Sequence, residues 1–182
     1  MNAINPVDLY LDLLRRSLTN TLFDTESKID DDEFRFTMDR FTHYADTEAV
    51  SMIPLARFDN IGICIEDVLR NGVPGDLIET GVWRGGPAIL MRGALKSRGV
   101  TDRSVWVADS FEGLPEPDPD KFPLEAKAQS GPVMQKAHHN LAVGLEEVKC
   151  NFAAYSLLDD QVRFLKGWFK DTLPTAPWAL FR

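Results

Sequence analysis

Three short stretches carry residues whose types and spacing could do chemistry. The first, Asp76-Leu-Ile-Glu-Thr-Gly-Val-Trp-Arg-Gly-Gly-Pro87, passes from apolar residues through Glu79 into glycines at 81, 85 and 86. Glycine lets a backbone approach a ligand with no Cβ in the way, and a helix opening at Pro87 brings unpaired N–H groups beside it. Glu79 stands where a carboxylate can meet a cationic or hydroxyl-bearing ligand. The second, Ser104-Val-Trp-Val-Ala-Asp109, closes on Asp109 and Ser110, and the third, Gln161-Val-Arg-Phe-Leu-Lys166, closes on Gly167 and Trp168. An acid after the second can accept both hydroxyls of a ribose, while an aromatic after the third can cover an adenine face. Together the three ends fit a nucleoside-containing cofactor. Plainer roles stay open residue by residue: Glu79 as the cap of a helix, the glycines in strand–helix packing, Asp109 at the start of an Asx turn.

The surrounding pattern supplies elements that would bring these ends together. Each stretch is short, apolar and bounded by glycine or acid, as buried strands are. Between the first two, Pro87 suits a first helical turn, Ile89, Leu90, Ala94 and Leu95 give an apolar face, and Gly99 ends it. Strand, helix and strand in this span make a βαβ unit with parallel strands, whose ligands sit at the carboxyl ends. Upstream, a helix is expected from Pro6 to Leu18 and another from Pro54 to Gly72; the first packs on the domain or on a second subunit, which leaves a homo-oligomer open. Phe111 to Pro132, with prolines at 115, 117, 119, 123 and 132, reads as a functional loop or lid. A third helix is expected over Leu141 to Tyr155 and a short one near Lys170 to Leu173. The acid run Asp30 to Glu33 reads as solvated chain and His43 as a structural histidine.

Composition narrows the function classes. With 182 residues, 44% hydrophobic and 26% charged, the chain suits one domain with a sizeable core. A net charge of −8 disfavours nucleic acid, which needs clustered Lys and Arg. No run nears the ~20 apolar residues of a membrane span, and no signal segment is evident, so a cytoplasmic setting is expected. Cys64 and Cys150 have no metal or disulfide spacing and are expected as buried thiols.

Two cofactors compete. Gly-x3-Gly-Gly differs from the dinucleotide fingerprint Gly-x-Gly-x2-Gly, and Asp109 falls well beyond the ~20-residue offset of its acid, which weakens NAD. S-adenosylmethionine has no pyrophosphate and needs no such turn; its amino and sulfonium groups suit an acidic pocket.

The residues also carry a resemblance. Ile65-Glu-Asp-Val-Leu-Arg-Asn-Gly-Val-Pro-Gly-Asp-Leu-Ile-Glu-Thr-Gly-Val-Trp-Arg-Gly-Gly86, Trp106-Val-Ala-Asp-Ser-Phe-Glu-Gly-Leu-Pro115 and Leu157-Leu-Asp-Asp-Gln-Val-Arg-Phe-Leu-Lys-Gly-Trp-Phe-Lys-Asp-Thr-Leu-Pro174 closely resemble the macrocin O-methyltransferase family of antibiotic sugar O-methyltransferases. The resemblance runs from about Asp59 to Pro177. It implies an α/β, Rossmann-like class I methyltransferase fold with a parallel sheet ordered 3-2-1, S-adenosylmethionine as cofactor, a magnesium ion, and a small-molecule sugar-bearing acceptor. A helical or lid segment over 1–58 would precede the methyltransferase domain over 59–182. By position, Glu79, Thr80, Gly81, Val82 and Trp83 resemble the loop around the methionine moiety. Asp109, Ser110, Phe111, Glu112 and Gly113 resemble the ribose turn, Gly167 and Trp168 the adenine pocket, and Ser51 and Met52 a segment closing over the cofactor. His139, chosen over its neighbour His138, resembles the general base. Gly144 replaces a cofactor-contacting serine.

The family continues into strands bearing Leu-Asp-Gly-Asp and an Asp-Asp pair, which hold the metal. Neither occurs up to Arg182, where Trp178 to Arg182 would at most begin a fourth strand. The expectation is a chain with the cofactor half, without its C-terminal strands and metal ligands, and with little or no transfer activity. The alternatives are a non-catalytic remnant that binds S-adenosylmethionine or a partner through an uncovered sheet edge, and an NAD-dependent oxidoreductase.

Overall fold

A computed structural model describes residues 5–22, 48–131, 135 and 139–176. Asp30 to Glu33, His43, His138 and Trp178 to Arg182 lie outside the described residues. Helix α1, Pro6–Leu18, starts where Asn5 Oδ1 accepts the Val7 N–H at 3.0 Å and Pro6 fills the first turn. It buries Leu14 and Leu18 and leaves Leu9 and Leu13 exposed. Helix α2, Leu55–Arg70, buries Phe58 and Ile65 and ends at Gly72, whose φ of +60° suits only a residue without Cβ strain. A division between residues 58 and 59 falls inside this helix, and Phe58 shares a core with Leu14 and Leu18.

Strands β1, Leu77–Thr80, β2, Val105–Asp109, and β3, Val162–Lys166, form one parallel sheet in the order β1-β2-β3, as the 3-2-1 pattern requires. Leu77 pairs with Val105 and Val105 with Val162, so Glu79, Val107 and Phe164 share a face. Helix α3, Gly86–Ser97, joins β1 to β2 and is buried on nearly every side, which explains its apolar sequence. Its Gly93 admits α1, because a Cβ there would stand 2.6 Å from Leu14 Cδ2.

Arg92 is the polar exception on α3, at 4% exposure. Its Nε and Nη2 donate to both Asp159 oxygens at 2.8 Å, and Nη2 also donates to Gln161 Oε1 at 2.9 Å. Gln161 in turn donates to the carbonyls of Val100 and Arg103. This bidentate pair locks α3 to the turn that starts β3.

Helices α4, Pro123–Gln129, α5, Leu145–Ala154, and α6, Phe169–Thr172, complete the described elements, with a 3-10 turn at Leu173–Thr175. Three details differ from the sequence pattern. The proline-rich stretch holds α4, because Pro123 suits a first turn. The third helix begins at Leu145, after Gly144 in extended conformation. Cys64 and Cys150 are exposed, since each lies on the outer face of a helix whose inner face carries Ile65 or Val148 and Phe152.

Candidate functional site

The turn after β1 is built by backbone conformations that its glycines permit and one residue tolerates. Gly81, Gly85 and Trp83 have φ of +77°, +88° and +48°. Trp83 accepts that strain because it is buried and its indole donates to the Asn140 carbonyl at 2.9 Å, with the Arg84 guanidinium 4.5 Å from its ring centroid. Each glycine has a separate task. A Cβ on Gly81 would meet no protein atom within 4 Å. One on Gly85 would press Val148 Cγ1 at 3.0 Å, and one on Gly86 would strike Ser51 Cβ at 2.5 Å and the Val50 carbonyl oxygen at 2.8 Å.

The strap Glu48 to Pro54 therefore lies directly on the start of α3. Gly86 N–H donates to Val50 O at 3.1 Å, Arg84 Nη1 to Ala49 O at 2.9 Å, and Val50 N–H to Leu18 O at 2.8 Å. Ser51, 2% exposed, is sealed beneath and accepts the Ile53 N–H, which leaves Met52 to face the site. Glu79 Oε2 accepts the Ala88 N–H at 2.8 Å. Every donor in the first turn of α3 is thus taken: Gly85 by Val82 O, Gly86 by Val50 O, Ala88 by Glu79, while Pro87 has none. Burial pushes the Glu79 carboxyl up to about 8; the Ala88 N–H opposes this, and the nearby Asp109 charge adds to it.

Asp109 ties the first two turns together. Its Oδ2 accepts the Val82 N–H at 2.7 Å and its Oδ1 the Phe111 N–H at 2.9 Å, the second being an Asx turn. Ser110 Oγ donates to Gly113 O at 3.1 Å, and Gly113, at φ +84°, lies against Ala142. The Asp109 carbonyl accepts the Gly167 N–H at 2.9 Å, which couples the third turn to the second. Between the turns lies a cavity of about 640 Å³, a size typical of small-molecule sites.

Met52, Gly81, Trp83, Asp109, Ser110, Gly113 and Trp168 line it. The other residues expected there are adjacent: Val82 and Phe111 are buried behind the wall, Phe111 tilted on Phe164 at 6.5 Å; Thr80 and Glu112 are exposed; and Gly167 forms the turn. Glu79 and Ser51 support α3 instead. His139 is exposed and is not among the lining residues. The wall also includes Leu114, Pro115, Glu116, Leu141, Phe169 and Lys170, which the motif reading passed over. Their signal was present: Leu114 to Glu116 open the proline-rich loop, and Phe169 follows Trp168. Among the described residues, no group of three or more His, Cys, Asp or Glu side chains is placed to hold a metal, and no helix is long and apolar enough to cross a membrane.

The profile of the macrocin-O-methyltransferase (TylF) family matches residues 25–181. The chain is 49% identical over 175 residues to the 8-demethyl-8-(2,3-dimethoxy-alpha-L-rhamnosyl)-tetracenomycin-C 4'-O-methyltransferase of Streptomyces olivaceus, covering 93% of this chain and 65% of that protein. It is 45% identical over 186 residues to the mycinamicin III 3''-O-methyltransferase of Micromonospora griseorubida, covering 98% and 71%. In three dimensions it is similar to the O-methyltransferase NovP, with a TM-score of 0.77 and 47% identity over 94% of this chain and 69% of that one. The chain thus spans about two thirds of the length of these relatives.

Proposed function

Because this chain belongs to the macrocin-O-methyltransferase family, we propose that its cavity binds S-adenosylmethionine and that the protein methylates a hydroxyl of a sugar-bearing natural product. One observation carries the cofactor assignment: a nucleoside-sized cavity lies beside a helix start whose N–H groups are all taken by protein. A dinucleotide needs those groups for its pyrophosphate. An adenosyl cofactor without one does not, and this disfavours the oxidoreductase alternative.

The residues fit such a cofactor. Gly81 leaves room on the cavity wall where a side chain would enter open space. Trp168 and Phe169 offer aromatic surface for a purine, Met52 and Trp83 add further wall, and the Asp109 and Glu116 carboxylates make the cavity acidic. When bound, S-adenosylmethionine supplies a methyl group made electrophilic by its sulfonium. The protein's remaining task is to orient an acceptor hydroxyl and remove its proton. His139, by resemblance the base, is exposed two residues before the cavity-lining Leu141 and does not itself line the cavity. Magnesium does not fit the described residues: Glu79 and Asp109, the two acids nearest the sheet, already hold backbone N–H groups.

Calorimetric titration of the chain tests the cofactor. Saturable binding of S-adenosylmethionine, competed by S-adenosylhomocysteine and unaffected by NAD, is expected; binding of NAD in its place would refute the proposal. A second reading, cofactor binding without transfer, is favoured by the position of His139 outside the cavity. It predicts the same titration with no methyl transfer to any rhamnosylated acceptor.

A further inference from the structure

The strap beside the cavity is held from both of its sides. Met52 faces the cavity, and toward the site Val50 O accepts the Gly86 N–H at 3.1 Å while Ala49 O accepts Arg84 Nη1 at 2.9 Å. Away from the site, the Val50 N–H donates to Leu18 O at 2.8 Å, and Leu18 is the last residue of α1. Val50 therefore joins the end of α1 to the start of α3 through its own peptide groups.

Helix α3 receives both pieces on one face. Gly86 and Gly93 stand seven residues apart in it, which is two turns, or ~10 Å along the axis. Neither has a positive φ, so the missing Cβ serves close approach alone. The strap covers Gly86. Helix α1 covers Gly93, where a Cβ would stand 2.6 Å from Leu14 Cδ2 and 3.2 Å from Tyr10 Oη. Leu14, Leu18, Ala49 and Phe58 belong to one buried cluster, so α1, the strap and α2 share their packing. In the last turn of α1, Ser17 Oγ lies 3.0 Å from Tyr155 Oη, which ties the helix to the end of α5. Neither Gly93 nor any residue of α1 lines the cavity.

We propose, building on the adenosyl cofactor above, that α1 and the strap dock on α3 as one unit and that the cofactor binds tightly only to the docked form, which makes Gly93 a positioning residue for a cavity it does not touch. When α1 leaves Gly93, the Val50 N–H loses its acceptor, the shared cluster opens and Met52 withdraws from the wall. Docking and binding are then linked reciprocally: the factor by which docking raises cofactor affinity is the factor by which the cofactor favours docking.

Two variants loosen α1 without entering the cavity. Gly93→Ala overpacks its contact with Leu14, and Ser17→Ala, the gentler change at a half-buried position, removes only the Tyr155 contact. Hydrogen exchange of the full chain, read at α1 amides that exchange faster than those of β2, reports local opening of α1. Ser17→Ala speeds these amides about two- to tenfold, the scale of one lost hydrogen bond. Saturating S-adenosylmethionine slows them again by about threefold or more in either variant. In calorimetric titration, Gly93→Ala lowers the affinity for S-adenosylmethionine by about threefold or more, because only the docked fraction binds tightly. If Gly93→Ala does not fold, the exchange of Ser17→Ala alone decides the linkage. Chains that bind the cofactor while their α1 amides exchange at an unchanged rate overturn the linkage and spare the cofactor. That holds even where Gly93→Ala weakens binding, since the loss would then travel through α3 itself. A wild-type chain that does not bind S-adenosylmethionine overturns the cofactor proposal and the linkage together.

Discussion

Gly86→Ala separates the two uses of glycine in the turn after β1. The new methyl group would stand 2.5 Å from Ser51 Cβ and 2.8 Å from the Val50 oxygen, both on the buried strap. Overpacking of this kind costs about 1–3 kcal/mol. Pushing the strap away also loses the Gly86 N–H bond to Val50, about 0.5–1.5 kcal/mol, while the lower entropy of an unfolded alanine returns about 0.4–1. The balance is a loss of about 0.5–4 kcal/mol, with roughly 2–4 °C in Tm for each kcal/mol in a chain of this size. Cofactor affinity falls too, because Met52 rides on the strap. Ser51→Gly in the same chain removes the 2.5 Å clash and recovers part of the stability, leaving the Val50 contact. Gly81→Ala gives the opposite balance: its φ of +77° costs about 1–2 kcal/mol, and the methyl enters the cavity rather than the core. Thermal unfolding followed by circular dichroism, together with calorimetric titration of S-adenosylmethionine, reads both effects. A Gly86→Ala chain as stable as wild type, with unchanged affinity, would refute the strap's placement.

Glu79 has a folded pKa of about 8 against an ordinary 4.5, so the folded chain binds a proton that the unfolded chain releases across that interval. Stability therefore falls as pH rises between those values, and Glu79→Gln, whose amide oxygen still accepts the Ala88 N–H, flattens the decline in denaturant melts. Asp159 behaves with the opposite sign: its bonds with Arg92 hold the carboxyl below its usual range, so the stability it confers is full above pH ~4 and is lost as pH falls through the lowered value. Asp159→Asn removes this acid dependence and costs about 3 kcal/mol at neutral pH, the lower end for stranding a buried charge, since Asp159 keeps 31% exposure. Gly144→Ser stabilises by about 0.5–1.5 kcal/mol, measured by the urea midpoint, because the N-cap of α5 has extended φ and ψ, no side-chain cap and open space for a Cβ.

Local periodicity made the elements legible. The apolar spacing from Pro6 to Leu18, the glycine stops at 72 and 99 and the three apolar runs each correspond to an element within a residue or two. Such signals depend on neighbours in sequence. The cysteines show where residue type alone fails: a thiol's general preference for burial does not tell which side of a helix it occupies, and Cys150 stands two residues from both Val148 and Phe152, on the opposite face. The short helix α4 was hidden because prolines read as loop while Pro123 also suits a helix start.

The acids and glycines of the site were harder because their roles depend on residues far along the chain. Glu79 and Asp109 were legible as strand-end carboxylates, but which N–H groups they hold depends on how α3 and the turn after β2 fold back. Both plainer roles are present: Glu79 caps α3, and Asp109 makes an Asx turn. Neither role removes the acids from function. An Asp109 that holds Val82 and Phe111 fixes two cavity walls at once, and a Glu79 that occupies Ala88 closes the place where a pyrophosphate would dock. The selectivity proposed for this cavity therefore resides as much in the backbone donors these acids consume as in the groups they leave free. That is also why the glycine spacing departs from the dinucleotide pattern: with the strap seated on Gly86 and Glu79 beneath Ala88, the turn is shaped to seal the helix start rather than to present it to phosphate.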